Sequence, residues 1–541
     1  MLVCAYNQLT VLNVSNNRNL YQLDCSCNHL NVLNVAGNTL LTELYCYGNS
    51  LTTIDVSSNT SLTGLFCSYN SITALDVSKN TSLTVLDCSD NNLTALDLSK
   101  NTALVGLDCS DNNLTALDLS KNTALVGLDC SDNSLTALDV SRNYSLVKLY
   151  CNYNEITNLD VSNNMVLTML SCSNNPLGVL NLTRNQLLKE LRCSGNSLTT
   201  LDLSSNTALT VLCCNNNDLT TLNLSSNTNL TELYCYNNNL STLNLTSNKA
   251  LEVLSCANNQ LTELNLSSNT ALRRLECSSN NFTALDISSN TNLEWLYCKY
   301  LRITDLDLSN NTSLVRLDCS YTDITALGLS NNPSLEYADC SNLTLTGNLD
   351  IKQSGRGDFP YQVSMRDYVG NGFNRITSLT AYTGNGTKIS SQFSPSEGIA
   401  SFASSPNYIV YDYPTGYTGQ APSSEVARTI SVKLSVPSNE PTDLPKVVPQ
   451  IQDPADHASF GFVPGTEPDT QPDSYFDIEP TLPDTEPQTE NPSGELPQIL
   501  GGHSGGCDSG VGVSSVCALL GISERCTRSG RQEAMTSMMR S

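Results

Sequence analysis

The sequence predicts a β-rich solenoid, a stack of 21-residue units that each give one short strand to a parallel sheet. Of 22 Cys in 541 residues, seventeen fall on one series with a step of 21, from Cys4, Cys25, Cys46 and Cys67 to Cys298, Cys319 and Cys340. Around that series sixteen complete units run from Leu9 to Thr344 in the pattern LxxLxVSxNxxLTxLxCxxNx, with Leu or Ile also at the V position and no insertion or deletion. Composition points the same way. Only 15% of residues are charged and 6% aromatic, and Leu, Asn, Ser and Thr dominate, which suits a polar-looped array better than an enzyme core. The length also exceeds what one hydrophobic core supports.

The unit around Cys88 shows why each position is what it is. Leu83, Leu86, Cys88 and Leu93 are expected to point inward, while Val85, Asp87 and Ser89 alternate outward along a strand. Asn91 belongs with the inward set, because its amide can donate twice and accept where the chain bends away from the strand. Leu93, Leu96 and Leu98 with the following Ser-Lys-Asn make a return of about ten residues, too short for an α-helix with two turns. Short extended or 3₁₀ segments are expected there.

A 20- to 29-residue period containing LxxLxLxxN resembles a leucine-rich repeat. Cys at the sixth position of LxxLxCxxN in 21-residue units is similar to the internalin family of bacterial surface proteins, in particular its internalin J branch with a cysteine ladder. The resemblance covers about two-thirds of the chain and implies adhesion at a cell surface. Seventeen rungs at ~4.8 Å would give a curved rod on the order of 80 Å long, with the outward strand positions on its concave face. The ladder thiols are read as small polarizable core residues, because in-register parallel strands point their Cβ vectors the same way and spoil disulfide geometry. Converging metal ligands are not expected either.

Four regions follow: the solenoid at 1–344, a β-rich region at 345–438, a stalk at 439–500 and a tail at 501–541. Leu2, Cys4 and Asn7 are already in phase after Met1, so a signal peptide and a capping unit are expected upstream. Leu93–Asn112 and Leu114–Asn133 are identical, as recent duplication would leave them. The Asn column then fails at Leu301, Thr322 and Leu343. The segments RITSLTAYT, PNYIVYDY and RTISVKLSV read as strands of a capping domain, for which an Ig-like sandwich is one form. Thirteen of the 20 Pro lie between Pro437 and Pro497 among Thr, Asp and Glu, a composition that stays extended as a spacer. The final Gly-Gly-Cys, apolar run and Arg residues resemble a surface-sorting tail, with Cys507 as its processing point.

The accessible chemistry is narrow. Twenty-seven basic against 52 acidic residues give a net charge of −25, which argues against nucleic acid and anionic membranes. No catalytic motif is present, and His29, His457 and His503 lie in a repeat loop, the spacer and the tail. No enzyme activity, small-molecule substrate, cofactor or metal is therefore expected. Asp87, Asp90, Asp108, Asp111, Asp129 and Asp132 stand on three successive rungs. They read as solvated residues left by copying one unit, ahead of a Ca²⁺ or basic-partner site. Arg356, Gly357 and Asp358 form a tripeptide that resembles the integrin-binding motif.

Aromatic residues on outward strand positions carry the binding expectation, because large side chains held on a rigid scaffold dominate hot spots. Trp295, the only Trp, Tyr297, Tyr300, Tyr321 and Tyr337 group with Arg274 and Arg316. Weaker patches are Tyr45, Tyr47, Phe66 and Tyr69, and Tyr234 with Tyr236. Such a module is expected to be extracellular or surface-bound and to bind a protein on a host or neighbouring cell. Carbohydrate binding through the aromatic rings, or a structural envelope spacer without a ligand, are the alternatives.

Overall fold

A computed structural model describes residues 1–325, most of 327–339, and eight strands between positions 352 and 435. Seventeen strands, β1 (Leu2–Val3) to β17 (Tyr337–Asp339), form one sheet in which each pairs in parallel with the strand 21 residues on. The register never slips, so Leu86 lies between Leu65 and Leu107, and Asp108 between Asp87 and Asp129. From rung to rung, each side chain therefore meets its own counterpart.

The inward set is as the unit predicts. Leu83, Leu86, Cys88, Leu93 and Leu98 are buried, and their counterparts continue them into a single apolar core. Fifteen Cys of the series, Cys25 to Cys319, are buried and free of disulfides, whereas Cys4, Cys27 and Cys213 are half-buried. Several thiols donate to a carbonyl of the next rung, Cys88 Sγ to Asp108 O at 3.5 Å and Cys130 Sγ to Tyr150 O at 3.6 Å. Burial pushes the Cys172 and Cys256 thiols up to about 12, which suppresses the reactive thiolate.

The corner after each strand is closed by the expected asparagine. Asn91 Nδ2 donates to the carbonyls of Cys67, Cys88 and Ser89, and its Oδ1 accepts from Ile72 N at 2.9 Å. One side chain thus ties two rungs together. The return is short and without a helix, as expected, and closes in two consecutive turns with the 3₁₀ bond spacing, Asn101 N to Leu98 O and Leu104 N to Asn101 O, which a second asparagine column holds. Asn101 Nδ2 donates to Val77 O and Asn80 O, and the same pair of bonds recurs from Asn38 to Asn332.

Beyond the solenoid, eight strands form two four-stranded antiparallel sheets, the longest being Tyr408–Pro414 and Thr429–Ser435. The segments read as strands from sequence fall on Ser378–Tyr382 and these two. The stalk at 439–500, the tail with Cys507 and the Arg356–Asp358 tripeptide lie outside the described residues.

Two outcomes test this packing. A maleimide probe should label native solenoid Cys at Cys4, Cys27 and Cys213 and leave Cys25 to Cys319 of the ladder unreacted until denaturant is added. Asn143→Ala should cost about 1–3 kcal/mol in chemical unfolding, because Leu119 O and Asn122 O lose their buried donor.

Candidate functional site

The outward strand positions divide the sheet face into chemically distinct stretches. On rungs five to seven the column is acidic. Asp108 is only 5% exposed and Ser110 9%, so the expectation of solvated carboxylates does not hold at the centre of this column. In-register copies flank it on both sides, and the serine two residues on folds beneath it: Ser110 Oγ donates to Asp108 Oδ1 at 2.6 Å and Ser110 N at 3.1 Å. Ser89, expected to face outward, is likewise buried against Asp87 at 2.8 Å. Burial raises all three carboxyls, with mutual repulsion adding to Asp108, and Asp129 is pushed up to about 6. Among the described residues no group of three or more His, Cys, Asp or Glu is arranged to hold a metal ion.

On rungs fourteen to sixteen the face turns aromatic, with Arg274 and Arg316 at one outward position and Glu276 and Asp318 at the next. Strand β15 (Trp295–Tyr297) pairs with β14 (Arg274–Glu276) and β16 (Arg316–Asp318), so Trp295 stands between Arg274 and Arg316. Their guanidinium carbons lie 5.0 and 5.3 Å from the indole centroid, within cation–π range. Tyr297 shares the face two residues on, next to Glu276, whose carboxylate accepts from Ser255 Oγ at 2.9 Å and is raised by burial. The strand register sets Tyr337 beside Arg316.

Tyr300 and Tyr321, grouped with these in the sequence, belong elsewhere. They occupy the corner after the strand, with φ of 56° and 55°, and their rings stack at 4.7 Å. The same corner is left-handed on every rung from Tyr6 to Tyr321. Most rungs place Asn, Asp or Gly there, which tolerate that backbone, but Tyr6, Tyr69, Tyr153, Tyr300 and Tyr321 do not suit it. Each bulky residue in that region costs on the order of 1–2 kcal/mol. Tyr300 is 52% and Tyr321 47% exposed, so burial does not offset the cost.

The other patches are quieter. Tyr45 and Phe66 stack at 4.5 Å with rings 1° from parallel, and the Tyr45 hydroxyl donates to Glu43 at 3.2 Å. Tyr47 is half-buried beyond them. Tyr234 donates to Glu232 at 3.1 Å, with Tyr236 half-buried on the same rung. Sequence reasoning missed the left-handed column, although Gly48 and Gly195 at the same step of 21 as Asp90 and Asn216 mark it.

Solved structures share this architecture. The functional domain of InlJ from Listeria monocytogenes, which includes a cysteine ladder, is 30% identical over 81% of this chain and 90% of that one, with a TM-score of 0.54. The leucine-rich-repeat protein LIC12759 of Leptospira interrogans is 24% identical, with a TM-score of 0.58 over 63% of this chain and 95% of its own. The plant peptide hormone receptor RGFR1, in complex with RGF2, is 21% identical, with a TM-score of 0.56 over 62% and 61%. The last two share the fold alone. No family model and no curated protein matches the chain.

The two aspartate columns give opposite pH dependences. Asp87, Asp108 and Asp129 have folded pKa values raised above the unfolded ~3.9, so they take up protons on folding and their destabilisation is relieved as pH falls, for Asp129 through about 6. Asp97, Asp118 and Asp139 on the return accept bonds from Ser99, Ser120 and Ser141 and are lowered, so their contribution is present above ~3.9 and lost below it. Thermal stability should therefore rise from pH 7 to 5 and fall below 4. Asp129→Asn should raise stability at pH 7 by about 1–2 kcal/mol and flatten the upper limb of that profile.

Proposed function

Since the chain belongs to the internalin family of leucine-rich-repeat proteins, we propose that it is an extracellular protein-binding module that uses the sheet face of rungs fourteen to sixteen to hold a protein on a host or neighbouring cell. Trp295 carries this reading. It is the single Trp of the chain, it lies half-exposed on a rigid strand, and it is fixed between two guanidinium groups. A large side chain ordered before binding loses little entropy on contact, which is what makes Trp, Tyr and Arg dominant in hot spots. The fold neighbour in complex with RGF2 is a precedent for a leucine-rich-repeat scaffold holding a protein ligand.

Carbohydrate stacking is less well supported at this site. A sugar needs an open ring face, and the guanidiniums of the rungs before and after lie over the indole at 5.0 and 5.3 Å from its centroid. The spacer reading leaves the strained, exposed Tyr300 and Tyr321 without a purpose. The β-rich region at 345–438 would close the end of the array, with the acidic, Pro-rich segment at 439–500 as its stalk.

The test compares the full chain with Trp295→Ala on arrays of secreted and cell-surface proteins and of glycans. Protein hits whose affinity falls by about 2 kcal/mol or more, roughly 30-fold, without loss of melting temperature support the site. A fall in stability with binding unchanged would make the cluster an internal interface and move the ligand elsewhere.

A further inference from the structure

A second surface, separate from the Trp295 site, lies near the middle of the array. We propose that rungs five to ten hold a segment of a partner protein that is apolar in one half and basic in the other. Its apolar side chains pack on a band of Tyr, Met, Val and Leu across rungs eight to ten, and its Lys or Arg residues lie over the aspartates of rungs five to seven.

Exposure locates the band. Among the described residues between positions 41 and 299, every exposed large apolar side chain falls between 144 and 187. Tyr144, Met165, Val166 and Leu187, 40 to 59% exposed, stand at the corner where the return enters the strands of rungs eight, nine and ten. The rungs on either side place Thr with Ser or Ala at these positions, from Thr60 and Ser61 to Thr123 and Ala124 before the band, and Thr207 and Ala208 after it. The repeat therefore folds without large apolar groups here, and their clustering on three successive rungs marks a contact surface.

The band continues across the sheet face. Rung eight runs from Tyr144 through half-buried Val147 and Tyr150 to Tyr153, which is exposed at the far corner with a φ of 50°. Met169 pairs beside Lys148 on the next strand. Met165 and Met169 are the only Met between positions 2 and 344. Their thioether side chains conform to whatever apolar groups meet them, and Tyr adds large contact area at low entropic cost.

Charge sets what lies beside the band. The strand and corner positions of rungs five to seven carry six aspartates, Asp87, Asp108 and Asp129 on the strands and Asp90, Asp111 and Asp132 at the corner, and no Lys or Arg. The nearby bases Lys100 and Lys121 lie on the return, where they accompany Asp97 and Asp118. From rung eight the balance changes: Lys148, Lys189 and Arg192 stand against Glu155 and Glu190, and Arg192 bonds Glu190 at 2.6 Å. Apolar contact therefore selects the partner over the band, and a basic group is favoured only over rungs five to seven. A base there also offsets the mutual repulsion that raises Asp108. The step falls where Asp129 pairs with Tyr150. At ~4.8 Å per rung the two halves lie roughly 5–15 Å apart, about two to four residues of an extended segment.

The full chain is titrated with a fluorescently labelled peptide that has a Lys–Ser half and a Leu–Ser half, made in both orders and followed by anisotropy. Two control peptides carry Glu for Lys, or Ser for Leu. Saturable binding is expected for the Lys–Leu peptide in one order or both, with each control about 10-fold weaker or more and affinity falling as salt rises to about 0.3 M. Tyr144→Thr with Met165→Thr, Val166→Ser and Leu187→Ala installs residues that other rungs carry at these positions, so it should keep the melting temperature while lowering affinity about 10-fold or more. Asp129→Asn with Asp132→Asn should lower it about 5-fold and weaken the salt dependence. No binding of the Lys–Leu peptide, equal binding of the Glu peptide, or wild-type affinity in the quadruple variant would each overturn the proposal. A dimer of the full chain that the quadruple variant dissociates, with no peptide bound, would assign the band to a second copy instead. Loss of peptide binding in Trp295→Ala with the quadruple variant unaffected would move the peptide to rungs fourteen to sixteen, which sinks this placement and leaves the Trp295 site standing.

Discussion

Every rung must satisfy the backbone polar groups at its two corners from the rung beside it, and the rest of the structure depends on that. A 21-residue coil with a three-residue strand and no helix among the described residues buries many turn carbonyls that have no partner within their own unit. Two asparagine columns supply the donors. Asn91 and most of its counterparts bond three carbonyls and one N–H at the strand corner, Asn196 bonding two carbonyls alone, and Asn101 and its counterparts bond two carbonyls on the return. In the second column the Oδ1 atoms from Asn38 to Asn332 are buried without a partner, so the amide is kept for its two N–H groups. A one-residue insertion would break these bonds on both sides, which accounts for an array with none.

Strict register has an electrostatic consequence. Stacking a unit on its copy puts like residues side by side, harmless for Leu and Cys but costly for Asp, and the three copied rungs bury Asp108 between Asp87 and Asp129. The serine beneath each carboxylate limits the penalty without removing it. Where the units have diverged, register instead allows unlike neighbours to complement one another. Arg274, Trp295 and Arg316 form a sandwich because three rungs differ at one position.

Much of this was legible in the sequence. The period set the strands, the core Leu and Cys, and the role of Asn91, because each follows from a side-chain alternation of two and a polar residue at a bend. The second asparagine column was equally regular, but its burial depends on turns whose conformation periodicity does not specify. The aromatic cluster was found from the outward strand positions, with Tyr300 read as lying just past the strand, yet the repeat pattern does not reveal that the chain turns left-handed there. Burial of Asp108 escaped for a similar reason: alternation gives the face a side chain occupies, not how closely its neighbours cover it.

Amide hydrogen exchange along the stack tests most directly whether the asparagine columns hold the rungs together. Leu261 N donates to Asn280 Oδ1 at 3.0 Å, whereas Leu301 and Thr322 replace the asparagines that would accept from Phe282 N and Ile303 N. Protection should be uniformly high at Leu51, Leu93, Leu135, Leu219 and Leu261, and at least ~10-fold lower at Phe282 and Ile303. Equal protection on both sides of Leu301 would contradict any such role for the asparagines and would mean that packing of the Leu and Cys core alone sets the register.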